Sequence, residues 1–130
     1  MNKSKIEFKT VSELGVYEFS GRGLLNICGD KVRISFFDEK NNCEYAFSFL
    51  SDSRIVFARK GEIEYTFSLE KSKECRFFIK ALNGEIDCVS YCNALKIDNL
   101  DTKISVYAKY KMNVGGNKQN YKVYLTAYKV

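Results

Sequence analysis

Runs of alternating apolar and polar residues follow one another along almost the whole chain, and nearly every break between them carries a hairpin signal. Strict alternation puts one set of side chains on each face of a strand. Ten such runs are predicted, near 5–12, 15–28, 31–39, 43–50, 53–59, 62–70, 74–82, 85–97, 102–112 and 120–130. Recurrence at roughly 8–12 residues is the rhythm of an all-β sandwich or barrel. No long window repeats apolar residues at helical spacing, and β-branched and aromatic residues crowd the runs. Short helices near 10–15 and 95–101 are the only ones for which the pattern leaves room.

The turns test this reading. Gly29-Asp30 and Asn83-Gly84 offer the positive φ of tight hairpins. A loop at Gly29-Asp30 sets Ile27, Leu25 and Gly23 beside Val32, Ile34 and Phe36. A loop at Asn83-Gly84 pairs Ala81 with Ile86, Ile79 with Cys88, Phe77 with Ser90 and, on the other face, Lys80 with Asp87. Lys60-Gly61 as a two-residue loop would set Phe57 beside Glu64. A three-residue loop at Arg59-Lys60-Gly61, with Gly61 left-handed, pairs Phe57 with Ile63 and Ile55 with Tyr65 instead. Asn41-Asn42 and Ser51-Asp52 supply side chains that bond local backbone. Gly115-Gly116 opens a longer polar loop, and Gly21-Arg22-Gly23 reads as a bend in a long strand.

With 130 residues, the chain is expected to form one domain over 1–130. It has no proline to break a strand. The N-terminus, Met1 to Thr10, is polar and alternating, which points away from a signal peptide, and no run approaches transmembrane length. The five cysteines at 28, 43, 75, 88 and 92 are irregularly spaced, so reduced thiols in a cytoplasm are expected, with no disulfide. Histidine is absent. That removes Ser-His and Cys-His nucleophile pairs, imidazole metal ligands and His acid–base work. No cysteine pairing suggests a four-thiolate zinc site, and no glycine pattern suggests a phosphate loop. No cofactor or metal is expected.

Arg59-x-Gly61 closes one hairpin. An aromatic strand at Phe77-Phe78 follows, with Gly84 at the next turn and the alternating strand Glu85 to Ser90. A long final hairpin then runs from Lys103–Tyr107 to Tyr121–Leu125. In these features the segments 57–97 and 103–130 resemble the YwiB-type family, a bacterial family of small β-barrels with no assigned activity. The resemblance covers the last three-fifths of the chain well and the first part loosely. It implies a lipocalin-like, or calycin-like, fold. Phe78 and Ser90 stand where that family tends to show tyrosine and threonine, so no polar site carries over.

Two candidate sites stand out. One is the barrel interior. The inner face of the strand at 85–97 is small (Ile86, Cys88, Ser90, Cys92, Ala94), as are Gly23, Ala81, Ala108 and Ala127. Large inward residues surround it: Tyr45, Phe47, Phe49, Tyr65, Phe67, Phe77 and Tyr110. Barrels of about eight strands either fill with side chains or hold one small ligand. If hollow, Tyr45, Tyr65, Phe77, Ser90 and Tyr110 would line the pocket, aromatics giving area and hydroxyls orientation. The competing account is a dry core of interdigitated small and large residues.

The second candidate is the outer face of the last hairpin: Lys103, Tyr107, Lys109, Lys111, Lys122, Tyr124 and Tyr128. Lysines among aromatics on a sheet can track phosphates and stack bases. A solvated face whose lysines discourage aggregation is the preferred account, and nucleic acid is not expected as a partner. Arg59 could bind an anion at a barrel mouth; pairing with a nearby glutamate is the simpler expectation. The expectation is therefore an antiparallel, up-and-down, lipocalin-like barrel of eight to ten strands. It would be non-enzymatic and cytoplasmic, taking a small, mostly apolar ligand. The alternatives are a packed-core interaction module or a weak single-stranded nucleic-acid binder.

Overall fold

Each predicted run is a strand in the computed structural model, which describes residues 2–129. The strands are β1 (Asn2–Ser12), β2 (Gly15–Cys28), β3 (Lys31–Asp38), β4 (Cys43–Ser51), β5 (Arg54–Lys60), β6 (Tyr65–Glu70), β7 (Glu74–Ala81), β8 (Gly84–Asn99), β9 (Lys103–Val114) and β10 (Asn117–Tyr128). There is no helix among the described residues, so none that could cross a membrane. The segments 10–15 and 95–101, left open to helix by sequence, are strand and turn. Their β-branched and apolar residues pair with neighbouring strands instead.

All ten strands form one antiparallel sheet, ordered β6-β5-β4-β3-β2-β1-β10-β9-β8-β7, curled into a nearly closed up-and-down barrel. β1 pairs with β10, Ile6 opposite Ala127 and Phe8 opposite Leu125. The remaining gap lies between β6 and β7. There, Glu64 N–H donates to Lys80 O at 2.9 Å and Lys80 N–H donates to Glu64 O at 2.8 Å. Further along, Ser68 N–H meets the Cys75 sulfur at 3.4 Å, a side chain standing where a carbonyl would complete the ladder. The turn after β6 then docks on β8, with Ser72 N–H donating to Cys92 O at 2.8 Å.

The Gly29-Asp30 hairpin has the predicted register, Ile27 opposite Val32 and Leu25 opposite Ile34, with Gly29 at φ 62°. That ladder ends at Leu24 and Ser35, one step short of Gly23. Other turns correct the sequence reading. Between β7 and β8 the loop is Leu82-Asn83, and Gly84, at φ 124°, already pairs with Ala81. Phe77 therefore faces Cys88, Ile79 faces Ile86 and Lys80 faces Glu85. The positive φ is needed just after the turn, not within it. A slip of two residues keeps every side chain on its predicted face.

The β5–β6 connection is longer than the expected bulged hairpin. Phe57 pairs with Phe67, Ile55 with Leu69 and Arg59 with Tyr65. Residues 61–64 leave the β5 ladder because Glu64 is used to close the barrel onto Lys80. Gly115-Gly116 is a tight turn, not a longer loop. Both glycines have positive φ (55° and 93°), so Val114 pairs directly with Asn117. In β8, the ladder to β9 shifts between Cys92 and Ala94. The extra residue, Asn93, turns Ala94 outward beside Lys109, so Ala94 does not join the inner face.

The core is an aromatic band. Phe8 is its hub, with ring centroids 5.3–6.0 Å from Tyr17, Phe36, Tyr45, Phe47 and Phe57. From Phe57 the band continues through stacked Phe67 to Phe77, and from Phe67 through Tyr110 to Tyr121. Each fully buried ring contributes about 1.5–3 kcal/mol, with about 0.5–1.5 kcal/mol more from favourable ring geometry. This band fills much of the interior. Glycine makes room at one crossing: a Cβ on Gly23 would sit 2.4 Å from Ser35 O and 2.8 Å from Ile6 Cγ1.

Candidate functional site

Five turns, 13–14, 39–42, 61–64, 82–83 and 115–116, lie at one end of the barrel, here the upper end. The aromatic band does not fill this end. A cavity of about 400 Å3 opens there, walled by Tyr65 and Phe67 of β6, Ile79 of β7, Tyr110, Met112 and Val114 of β9, and Asn117, Gln119 and Tyr121 of β10. Leu14 of the first turn overhangs it. Alternation on three separate hairpins aims these residues inward. Tyr110 opposes Tyr121 in the ladder, their rings stacked with centroids 5.2 Å apart.

One polar group of the cavity wall lacks a partner among the described residues. Gln119 Oε1 is buried with no hydrogen bond among the described residues. Tyr65, Tyr110 and Tyr121 gain no hydrogen bond that would offset burial, and burial pushes all three hydroxyls above the ordinary tyrosine value. They stay protonated donors at neutral pH. An apolar wall with a few convergent, unpaired polar groups is the general form of a small-molecule site, and 400 Å3 lies within the usual range of about 300–1,000 Å3.

A second polar cluster lies at the same end of the barrel. Asp38, 6% exposed, accepts from Tyr17 Oη, from Asn41 Nδ2 at 2.7 Å and from Lys40 N–H at 3.1 Å. Burial works to raise its pKa, but these donors outweigh it and hold the carboxyl below the ordinary range. Arg59 pairs beside Tyr65. Its Nε donates to Tyr45 Oη at 3.4 Å and its Nη1 to Ile63 O. The expected glutamate pairing is absent among the described residues, because β5 delivers Arg59 to the inner face while Glu62 and Glu64 remain exposed. Burial pushes the nearby Cys43 thiol up, leaving it neutral.

Of the residues singled out from sequence, Tyr65 and Tyr110 border the cavity. Tyr45 lies within the aromatic band, bonded to Arg59. Phe77 stacks on Phe67 at 4.8 Å, beneath the cavity wall. Ser90 is buried between Cys75 of β7 and Met112 of β9. Sequence reasoning missed Gln119 and Tyr121 as lining residues. Reading Gly115-Gly116 as a tight turn, then alternating back from Val123, would have placed both inward. All five cysteines are free thiols.

A larger groove, about 560 Å3, lies over the outer ends of β3–β5, where the β4–β5 ladder is irregular near Ser51. Two of its polar contacts are internal: Ser51 Oγ lies 2.8 Å from Ser53 Oγ, and Arg33 lies 4.0 Å from Glu44. The upper cavity differs in holding a buried side-chain oxygen, Gln119 Oε1, with no partner among the described residues.

On the outer face of the last hairpin, Tyr107 opposes Tyr124 with ring centroids 5.2 Å apart, and Lys109 directly opposes Lys122. Lys103 pairs with Tyr128, and Lys111 with Asn120. The face extends to Lys96 beside Tyr107 on β8 and Lys9 beside Tyr124 on β1. The tyrosines pack on each other across the ladder rather than standing apart as separate platforms.

The crystal structure of the ywiB protein from Bacillus subtilis is similar to this chain, with a TM-score of 0.79 and 18% identity over 96% of this chain and 91% of that one. At that identity the likeness shows the fold, which is the barrel the sequence resemblance implied. No curated protein matches the sequence. A family model described as a domain of unknown function, DUF1934, matches residues 3–125. The chain therefore belongs to the DUF1934 family, whose barrel it shares with ywiB.

Proposed function

We propose that this is a non-enzymatic, cytoplasmic binding protein whose barrel takes a small, mostly apolar ligand at its upper end, in the manner of a lipocalin-like fold. The carrying observation is the 400 Å3 cavity lined by aromatic and aliphatic side chains, among them three tyrosines, with the buried and unpaired Gln119 Oε1 in its wall. Buried polar groups ordinarily find partners, so a ligand that supplies them gains specificity as well as contact area. The non-enzymatic reading rests on chemistry. There is no histidine, burial keeps the Cys43 and Cys92 thiols neutral, and the carboxylates of Asp38 and Glu13 are each occupied by hydrogen-bond donors. Five free thiols favour a reducing compartment.

Native mass spectrometry of freshly purified protein tests the reading. A bound small molecule is expected, and it is expected to be lost from Val114→Trp, which fills the cavity while the far-ultraviolet spectrum stays unchanged. Wild-type protein that carries no adduct, and whose melting temperature no ligand class raises, would leave a packed interaction module as the better account.

A further inference from the structure

Arg59 brings a positive charge to the upper end that no carboxylate among the described residues answers. It is half-buried, and none of the ion pairs among the described residues includes it. The groups packed around it are Tyr45 and Cys43 of β4 and Tyr65 of β6, all neutral at ordinary pH. Two of its donors are spent, on Tyr45 Oη and Ile63 O. A guanidinium has five N–H donors in a fixed fork, so the Nη2 pair and one Nη1 hydrogen remain available. The bonds to Tyr45 and Ile63 hold the fork in place. That is the preorganisation an anion-binding arginine needs.

Its neighbours in the ladder point to the same chemistry. Arg59 pairs across the ladder with Tyr65, which lines the cavity, and lies close enough for its charge to act on the Tyr65 hydroxyl. Tyr121, across the cavity, is a second protonated donor. Negative charge at this end is already committed. Asp38 is saturated by Tyr17, Asn41 and Lys40, and Glu13 holds Asn120 through its backbone N–H at 2.9 Å and its Nδ2 at 2.8 Å. Neither carboxylate forms an ion pair with Arg59, yet they set a limit. A ligand with a second negative charge would be repelled by Glu13, which lies close enough to Tyr121 to raise its pKa.

We propose that the ligand is a compact, mostly apolar monocarboxylate, its body in the upper cavity and its head group on the free donors of Arg59 and the hydroxyl of Tyr65. The inference deepens the binding reading above and rests on it. Charge-assisted, bidentate bonds from arginine are the strong ones, so the head group should dominate selectivity.

The test is calorimetric titration with a matched pair, a naphthalene carboxylate and the corresponding naphthalene methanol, at neutral pH. The acid is expected to bind wild-type protein about tenfold or more tightly than the alcohol. Arg59→Gln is expected to erase that difference while leaving the alcohol's affinity unchanged, and Arg59→Lys to retain part of it. Thermal melts of the unliganded variants check the fold. If Arg59→Gln fails to fold, the wild-type pair and Arg59→Lys decide the matter. Equal affinity of acid and alcohol for wild type would overturn the anion site and leave the cavity reading standing. Binding of neither probe would overturn both.

Discussion

Gly23→Ala pits two effects of opposite sign against each other at one position of β2. Backbone propensity favours alanine within a strand by about 0.5–1 kcal/mol, since glycine loses more freedom on folding. Space opposes it. The added Cβ would lie 2.4 Å from Ser35 O, 2.8 Å from Ile6 Cγ1 and 3.0 Å from Phe36 Cβ. The nearest of these is backbone, so relief requires β2 and β3 to part where their ladder begins at Leu24. Overpacking of a rigid wall costs about 1–3 kcal/mol, and a backbone contact belongs at the upper end. The net expectation is a loss of about 2 kcal/mol, or about 6–10 °C in Tm for a domain of this size. Gly21→Ala is the internal control. There the Cβ would meet the Phe19 ring edge at 3.0 Å, which can swing aside, so the loss should stay below about 1 kcal/mol. Thermal melts of both variants, followed by circular dichroism, make the comparison. An unchanged or raised Tm for Gly23→Ala would refute the close-approach argument.

Four further expectations concern the outer lysine and tyrosine face and the buried titratable groups. Lys109→Glu replaces a like-charge pair opposite Lys122 with an attractive one, and should raise stability by about 0.2–1 kcal/mol; a lower denaturation midpoint in urea would contradict it. Tyr107→Ala and Tyr124→Ala should each lose only cross-strand packing and leave weak polyanion binding unaltered, whereas micromolar RNA binding at physiological salt, abolished by either change, would mark the face as a nucleic-acid surface. Tyr17, Tyr45, Tyr65, Tyr110 and Tyr121 all have raised pKa values, chiefly through burial, so their contribution is intact below about pH 10 and is lost as pH rises through the folded values. Spectroscopic titration should show late tyrosinate formation coinciding with unfolding, and nine tyrosines ionising together near pH 10 in a folded protein would sink this. Asp38 has the opposite sign: its pKa is lowered, so its stabilisation is present above about pH 4 and fades as pH falls through the folded value. Asp38→Asn should flatten the acid limb of a Tm-against-pH curve.

Strand existence and facing were legible because alternation has a period of two and does not depend on register. That is why Phe77, Tyr65 and Tyr110 fall inward as expected, while the cross-strand partners expected for Phe77 and Tyr65 differ from those observed. Register failed where a glycine sits beside a turn rather than inside it, as at Gly84, and where tertiary closure takes a residue from a hairpin, as Glu64 does. Asn93 carries no local mark of a bulge, so Ala94 was assigned to the wrong face. The site was half legible. Tyr65 and Tyr110 follow from alternation, but whether a barrel is filled depends on the joint packing of residues far apart in the chain. Arg59 was visible as a candidate anion ligand. That no carboxylate among the described residues pairs with it shows only when the strands are placed around it.

The gap in the barrel and the ends of the chain fall at different places. Every strand neighbours its successor in sequence except across the β6–β7 gap, while β1 and β10 pair along their length despite lying at opposite ends of the chain. That ladder is the long-range step of assembly, and loop closure makes such steps slow. Cutting the chain at 71–73 and joining β10 to β1 with a short linker would turn the order into an uninterrupted meander from β7 round to β6. Such a permuted chain would replace the most distant pairing by a local one and should fold faster to the same barrel. The native connectivity thus trades folding speed for a gap crossed by an unbroken covalent chain, so that when β6 and β7 part they remain tethered by a three-residue turn.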